Sequence, residues 1–296
     1  MLAALHRHGL RTRTVVLRPR SATALRLEDA RVALVDTVAA TAAAPRLPAL
    51  RARGTRVVAL ALMSAGALVL ARRADRVIVP SAVLRDELMA SGVAAAKISV
   101  VAPGRDAIAP SDADGDTRRV LCVANWSPAK GIHTLVSAMA TVPEARLDLV
   151  GDASDRGYAA RVRRMLARPA LAGRVRRYGS LGGAALEKRY RRASVFALPS
   201  ARESYGMALA AALAHGLPCV ACDIPATREI AGDAALLVPP GRSRPLADAL
   251  RSVLTDEDLR ARLRSRALRR ARSFPTWQES EEAFVRVVRS ELAIGL

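Results

Sequence analysis

Hydrophobic positions along the chain follow two periods in alternation. Arg31–Asp36, Thr55–Leu62, Arg76–Pro80 and Lys97–Val101 are short runs dense in Val, Ile and Leu, which read as buried strands, and Thr12–Leu17 reads the same way. Between them, Leu47–Arg53, Gly66–Arg73 and Val83–Ser91 carry helical spacing, and Leu2–His8 forms a helix that Gly9 stops. The pattern resumes with strands at Arg119–Ala124, Arg146–Gly151, Val175–Tyr178 and Val195–Pro199, separated by helices at Ile132–Ala140, Asp155–Ala167 and Gly183–Arg192. Alternation of this kind predicts an α/β protein made of two Rossmann-like halves, each a parallel sheet covered by helices. The expected layout is a first domain over 1–108, a Pro/Asp/Gly-rich linker over 109–118, a second domain over 119–275 and a last helix over 276–296. Thr276 and Glu279 are spaced as a capping box for that helix.

Composition narrows the picture. With 296 residues, 51% hydrophobic and only 3% aromatic, the cores are expected to be Ala- and Leu-rich helices on β-branched strands. The 47 basic residues against 27 acidic give +20, and only Lys97, Lys130 and Lys188 among them are lysines. No basic stripe is interleaved with aromatics, so a nucleic-acid partner is not expected, whereas loose contact with an anionic membrane is. Cys122, Cys219 and Cys222 lie in strand-like runs, which points to a reducing, cytoplasmic compartment, with the inner membrane face as a peripheral location. Cys219 and Cys222 are three apart on a strand and face opposite sides, so core packing is favoured over a shared metal. The apolar run from Val57 to Ala71 would cover about 22 Å as a helix. That is short of a ~30 Å hydrocarbon core, and the run reads instead as a strand followed by a helix. Asp112, Asp114 and Asp116 in the linker invite a metal reading, but Val123 stands where a calcium loop needs its closing Glu, and a solvated linker is the better reading.

The chain is organised around the stretch from Ser200 to Pro218. A strand, a polar loop bending at Gly206 and an Ala/Leu helix stopped by Gly216 and Pro218 put a helix N-terminus at the end of a strand. Unpaired amides and partial positive charge there suit a phosphate, and Glu203 just upstream would accept hydrogen bonds from hydroxyls of the same ligand.

This run resembles the donor-site motif of the retaining GT-B glycosyltransferases, in particular family 4 (glycosyl transferases group 1), where two Glu residues flanking seven others clamp a nucleotide sugar. The resemblance is strongest from Arg118 to Gly241 and extends to Asp75–Gly104. It implies two Rossmann-like domains facing across a cleft, with the last helix crossing back to the first. It also implies metal-independent, retaining transfer of a sugar from a UDP- or GDP-sugar to an acceptor, with no cofactor beyond the donor. Glu203 falls on the first Glu, the catalytic position that contacts sugar hydroxyls. Ala211 falls on the second, which holds the ribose, and has no acceptor to offer. Asn125-Trp126-Ser127-Pro128-Ala129-Lys130-Gly131 is similar to the second donor-site loop, with Lys130 on the diphosphate-gripping Lys and Asn125 where Arg is frequent. Ser180 and Leu181 match the backbone that faces the base. Ser204, Tyr205, Gly206, Met207, Ala208 and Leu209 complete the expected donor cradle, the amides of Gly206–Leu209 meeting the diphosphate with Lys130 opposite, across a cleft between two sheets.

The beginning of the chain departs from the family. The usual first strand and Gly-rich loop are missing, which predicts a truncated first domain with strand edges exposed. The stretch Met63–Ala67, where the family tends to carry an acceptor-side His, has none. The sequence therefore supports a glycosyltransferase of unassigned acceptor (lipid, glycan or small molecule). The Ala211 departure keeps open a non-catalytic relative that binds nucleotide sugars or serves as a scaffold subunit. His6, His8, His133 and His215 have no partners in spacing and read as packing or surface residues, and Glu229 reads as structural.

Overall fold

In the computed structural model the described residues are 2–15, 30–63, 66–106, 108 and 118–294. All of the expected 109–118 linker but Arg118, with its three Asp residues, the far end of the Thr12–Leu17 run, and Ser64 with Ala65 lie outside them. Chain contacts divide the molecule into two units, residues 1–106 with 275–296, and residues 107–274.

The first unit holds four parallel strands in the order β1 (Val32–Asp36), β2 (Arg56–Leu60), β3 (Arg76–Val79) and β4 (Ile98–Val100). Among the described residues the sheet is continuous and its edges are β1 and β4. Residues 12–15 form no strand, contrary to the sequence pattern. Leu10 turns back to donate to Leu5 O at 2.9 Å, and the Thr12 hydroxyl is engaged by His6 Nε2, so this stretch folds onto its own helix. The period of two along β2 and β3 sorts the core into two layers. Val57, Ala59, Val77 and Val79 pack with Leu47, Leu50, Leu70, Leu84 and Leu88 of the helices on one face. Val58 and Ile78 point the other way, onto Ala4, Leu5, Phe284, Val285 and Val288.

The second of these layers depends on the helix Trp277–Ile294. Its capping box is formed: Thr276 N donates to Glu279 Oε2 at 2.7 Å, and Glu279 N donates to Thr276 Oγ1 at 3.2 Å. Seven residues beyond Phe284 on the same face, Glu291 is fully buried, with its carboxylate between Arg56 Nη2 at 2.5 Å and Arg76 Nε at 2.9 Å. Both arginines stand at the starts of their strands, where side chains from β2 and β3 can converge on one acid.

The second unit contains six parallel strands: β5 (Arg119–Val123), β6 (Arg146–Val150), β7 (Val175–Arg177), β8 (Val195–Leu198), β9 (Cys219–Cys222) and β10 (Ala235–Val238). Their spatial order is β10-β9-β8-β5-β6-β7, the doubly wound arrangement in which winding reverses between β5 and β8. Val120, Cys122, Leu147, Leu149, Val195 and Ala197 face a layer formed by Ile132, Leu135, Met139, Leu246, Leu250 and Val253. Phe196 alternates to the other face, where its ring lies 5.9 Å from Tyr190. Cys219 and Cys222 are both buried on β9, and burial raises both thiols, Cys222 to about 11. The Val57–Ala71 run is a strand followed by the helix Ala67–Ala71, and among the described residues no helix is long and apolar enough to cross a membrane.

Candidate functional site

A doubly wound sheet leaves a crevice beyond the carboxyl ends of the strands at its reversal point, because the loops after those strands leave in opposite directions. Here these are the loops after β5 and β8, and the sequence-predicted site residues gather on them, on the helix that follows β8 and on the loop after β7, with the loop after β6 between them.

Backbone contacts knit the four loops together. Ala124 N donates to Val150 O at 2.9 Å and Trp126 N to Asp152 O at 2.7 Å, which ties the β5 loop to the β6 loop. Asn125 closes the same joint through its side chain, Oδ1 accepting from Asp152 N at 3.1 Å. Gly151 N donates to Gly179 O at 2.7 Å, bringing in the β7 loop that carries Ser180 and Leu181. Gly151 has φ +143°, and a Cβ there would lie 2.0 Å from Ala124 O, so only glycine permits this approach. On the other side, Ala201 N donates to Ala129 O at 2.8 Å, and Gly131, at φ +63°, sits so close to Pro199 that a Cβ would meet its carbonyl oxygen at 2.1 Å.

That last clip fixes the central contact. Lys130, ending a single turn at Pro128–Lys130, and Glu203, five residues beyond β8, form an ion pair with Nζ to Oε1 at 2.7 Å. The Lys side chain is 29% exposed and the Glu 10%, so the pair is half-sheltered and its charges are only partly screened. Cys122 on β5 lies in the field of this pair. Burial pushes its thiol up to about 12, with Lys130 pulling the value back and Glu203 adding to it.

Three residues past Glu203, Gly206 takes φ +105° and opens the helix Met207–Ala214. The amides of the first turn have no intrahelical acceptor by construction. Ser204 is half-buried, Tyr205 is buried, Met207 is 41% exposed at the mouth of the turn, and Ala208 O accepts from Tyr190 Oη at 3.2 Å. Leu209 is fully buried, and Ala211 is 7% exposed. The helix Pro225–Ala231 backs the turn: a Cβ on Gly206 would lie 3.9 Å from Ile230 Cγ1, and Arg270 donates to the carbonyls of Glu229 and Ile230.

The arrangement corrects the sequence reading in two places. Lys130 and Gly206 do not face each other from two sheets; they stand on neighbouring loops of one sheet, because the reversal of winding sets β8 beside β5. His133 and His215, like His6 with Thr12, do have partners. His133 Nδ1 lies 2.8 Å from Tyr158 Oη, and its pKa is lowered first by burial and then by Arg161. His215 is buried, stacked on Tyr190 at 5.1 Å, with Nε2 3.2 Å from Glu187. The residues missed from sequence are those that hold the loops to one another, Gly151, Asp152, Gly179 and Ala201. A glycine directly after a strand was the only available signal for the first.

Chemically the crevice offers an ammonium, a carboxylate and a helix start within one set of clipped loops, a constellation for an anionic group next to hydroxyls. The family model of the glycosyl transferases group 1 matches residues 105–270, the whole of this sheet and its loops.

The chain belongs to that family.

Among curated group 1 relatives, the D-inositol 3-phosphate glycosyltransferase of Kineococcus radiotolerans is 31% identical over 252 residues, covering 73% of this chain and 57% of its own length. That of Xylanimonas cellulosilytica is 33% identical over 212 residues, covering 64% of this chain and 51% of its own. The phosphatidyl-myo-inositol mannosyltransferase of Mycolicibacterium smegmatis is 31% identical over 187 residues, 60% of this chain and 47% of that protein. The chain thus spans about half the length of the curated relatives it matches. In fold, the group 1 chain is similar to Anabaena HepE, solved with UDP and glucose, at a TM-score of 0.79, 20% identity and coverage of 98% and 89%. It is also similar to the sucrose-phosphate synthase of Thermosynechococcus elongatus, at a TM-score of 0.75, 23% identity and coverage of 89% and 74%. These likenesses assign both parallel sheets to the GT-B fold.

Proposed function

We propose that this chain binds a nucleotide diphosphate sugar, UDP- or GDP-linked, on the loops after β5, β7 and β8, and transfers the sugar to an acceptor hydroxyl with retention of anomeric configuration. The observation that carries the reading is the pairing of Lys130 with Glu203 beside the Gly206 helix start. In the reaction the bond between the anomeric carbon and the diphosphate oxygen breaks with its electron pair leaving on the diphosphate, and the acceptor oxygen bonds to that carbon on the same face as its proton passes to the departing phosphate oxygen. The leaving diphosphate takes the negative charge. Lys130 and the amides of Gly206–Leu209 would meet that charge, so no metal ion or further cofactor is invoked. Glu203 would accept from sugar hydroxyls and hold the ring in place, while Asn125, Ser180, Leu181, Ser204 and Tyr205 shape the walls. HepE with bound UDP and glucose supports a nucleotide-sugar donor, and the inositol- and lipid-directed names of the curated relatives support an acceptor with a phosphate-bearing or membrane-embedded head. A cytoplasmic protein in loose contact with an anionic membrane fits such an acceptor.

Ala211 favours a second reading, a donor-binding relative without turnover. Its methyl cannot hold the ribose, and hydroxyls left unpaired cost about 1–3 kcal/mol, roughly tenfold to a hundredfold in donor affinity. Calorimetry with UDP- and GDP-sugars, with and without a chelator, tests the donor site, and absence of binding rejects both readings. Nucleotide release with candidate acceptors then separates them, and NMR of the product's anomeric centre tests retention.

A further inference from the structure

The positive charge of this chain is not spread evenly, and its densest net-positive stretch falls at one edge of the second sheet. Between Arg156 and Arg192 stand twelve basic side chains and one acid, Glu187, so these 37 residues carry +11 of the chain's +20. One residue in three is basic here, against about one in six for the chain as a whole, and acids are depleted at the same time, which a uniform preference for Arg does not produce. The β7 loop with Ser180 and Leu181 apart, the segments that form the donor crevice, 119–155 and 193–241, are by contrast net acidic.

The 37 residues are the helix Arg156–Leu166, strand β7 and the helix Gly183–Arg191. β7 is one of the two edge strands of the second sheet, β10 being the other. The first helix packs Tyr158, Ala159 and Val162 into the core layer that includes Val195 and Ala197. The second packs Tyr190 against Phe196, which alternates to the opposite face. Basic helices therefore flank the edge strand on both faces, and Arg163, Arg164, Arg168, Arg176, Arg177 and Arg192 are exposed around it. Charged residues do guard sheet edges against strand addition, but one or two suffice for that.

We propose that this β7 edge is the surface by which the protein adsorbs to an anionic lipid bilayer. The proposal rests on the membrane contact suggested above and gives it an address in the molecule. Among the described residues the large exposed hydrophobics, such as Val38, Met63 and Trp277, all fall outside 156–192, so the edge has no apolar wedge to insert. Its one tyrosine outside the core layers, Tyr178, is covered by the Arg189 guanidinium 4.6 Å above the ring, which leaves no platform on which bases could stack. What remains is a coulombic surface, reversible and steeply dependent on salt.

The test is sedimentation of the full chain with vesicles of zwitterionic lipid alone and with phosphatidylglycerol added, at low salt and at about 0.5 M salt. Wild type is expected to bind only the anionic vesicles, and only at low salt. The quadruple variant R163E/R164E/R176E/R177E should lose at least about 100-fold in partitioning. A control with the same change in net charge elsewhere on the second unit, R242E/R244E/R262E/R269E, should stay within a few-fold of wild type. Thermal melts and UDP calorimetry check that both variants fold, and the corresponding Arg→Gln set replaces the first if it does not. Equal loss in the two variants overturns the address while leaving membrane contact standing. Failure of wild type to bind any vesicle overturns both. Tighter binding to single-stranded RNA or heparin than to anionic vesicles overturns the choice of partner. Donor binding is measured separately, so none of these outcomes is confused with failure of the glycosyltransferase reading.

Discussion

Lys130 and Glu203 are predicted to act as one unit, and a double-mutant cycle measures it. At 2.7 Å and an effective dielectric of about 20, the attraction is about 6 kcal/mol before desolvation. Desolvation of a carboxylate only 10% exposed and ordering of a long Lys side chain cancel most of this. A coupling of about 1–3 kcal/mol remains. Lys130→Met strands the sheltered carboxylate and should destabilise the second unit by about 2 kcal/mol. Glu203→Gln leaves an ammonium that water can reach and should cost about 1 kcal/mol or less. The double variant should be no worse than Lys130→Met alone. Urea unfolding followed by the fluorescence of Trp126, buried in the β5 loop, reports on this unit, and UDP titration of the same four proteins reports on the crevice. If the two single effects add to within about 0.5 kcal/mol, the pair is a surface coincidence and the argument that the loops are built around it fails.

Three further outcomes follow from other parts of the structure. Glu291→Gln should destabilise the first unit by about 3 kcal/mol, because Arg56 and Arg76 lose a fully buried carboxylate, as seen in a lowered thermal midpoint. Acidification should weaken the second unit: the His133 pKa is held below its ordinary 6.5, so the unfolded chain takes up the proton first. Stability is then full above that value and falls as pH drops towards the folded one, a slope that His133→Asn should flatten in melts between about pH 7.5 and pH 5.5. Finally, Ala211→Glu should tighten UDP binding about tenfold or more if the missing ribose contact is what limits affinity, and unchanged calorimetry in a folded variant would show that it is not.

Much of the second unit was legible because strand and helix periods are clean there and the Ser200–Pro218 stretch writes strand, turn and helix start in consecutive residues. Glu203 and Lys130 were each identifiable from local motif, but not as partners. Seventy-three residues separate them, and only the reversal of winding that seats β8 beside β5 makes them neighbours. The same limitation placed Lys130 across a cleft between two sheets instead of on the adjoining loop. In the sequence Gly151 reads as the end of a strand and Gly131 as the end of a donor-site loop; their role as points of backbone contact depends on what lies opposite them. The histidines looked partnerless because Tyr158 and Tyr190 reach them from helices distant in sequence. The basic run from Arg156 to Arg192 is contiguous in the sequence, and what the order of strands adds is its place at an edge of the second sheet.

The helix Trp277–Ile294 lays Phe284, Val285 and Val288 against Val58 and Ile78, yet it leaves the ribosome after every residue of the second unit. The second unit is in effect spliced into the first, so during translation the face of the earlier-made sheet that Phe284, Val285 and Val288 will cover has only Ala4 and Leu5 of that cluster beside it while some 170 residues are added. The nascent chain must be shielded for that interval, and removal of the closing helix should send the protein to aggregates even though the donor crevice is untouched.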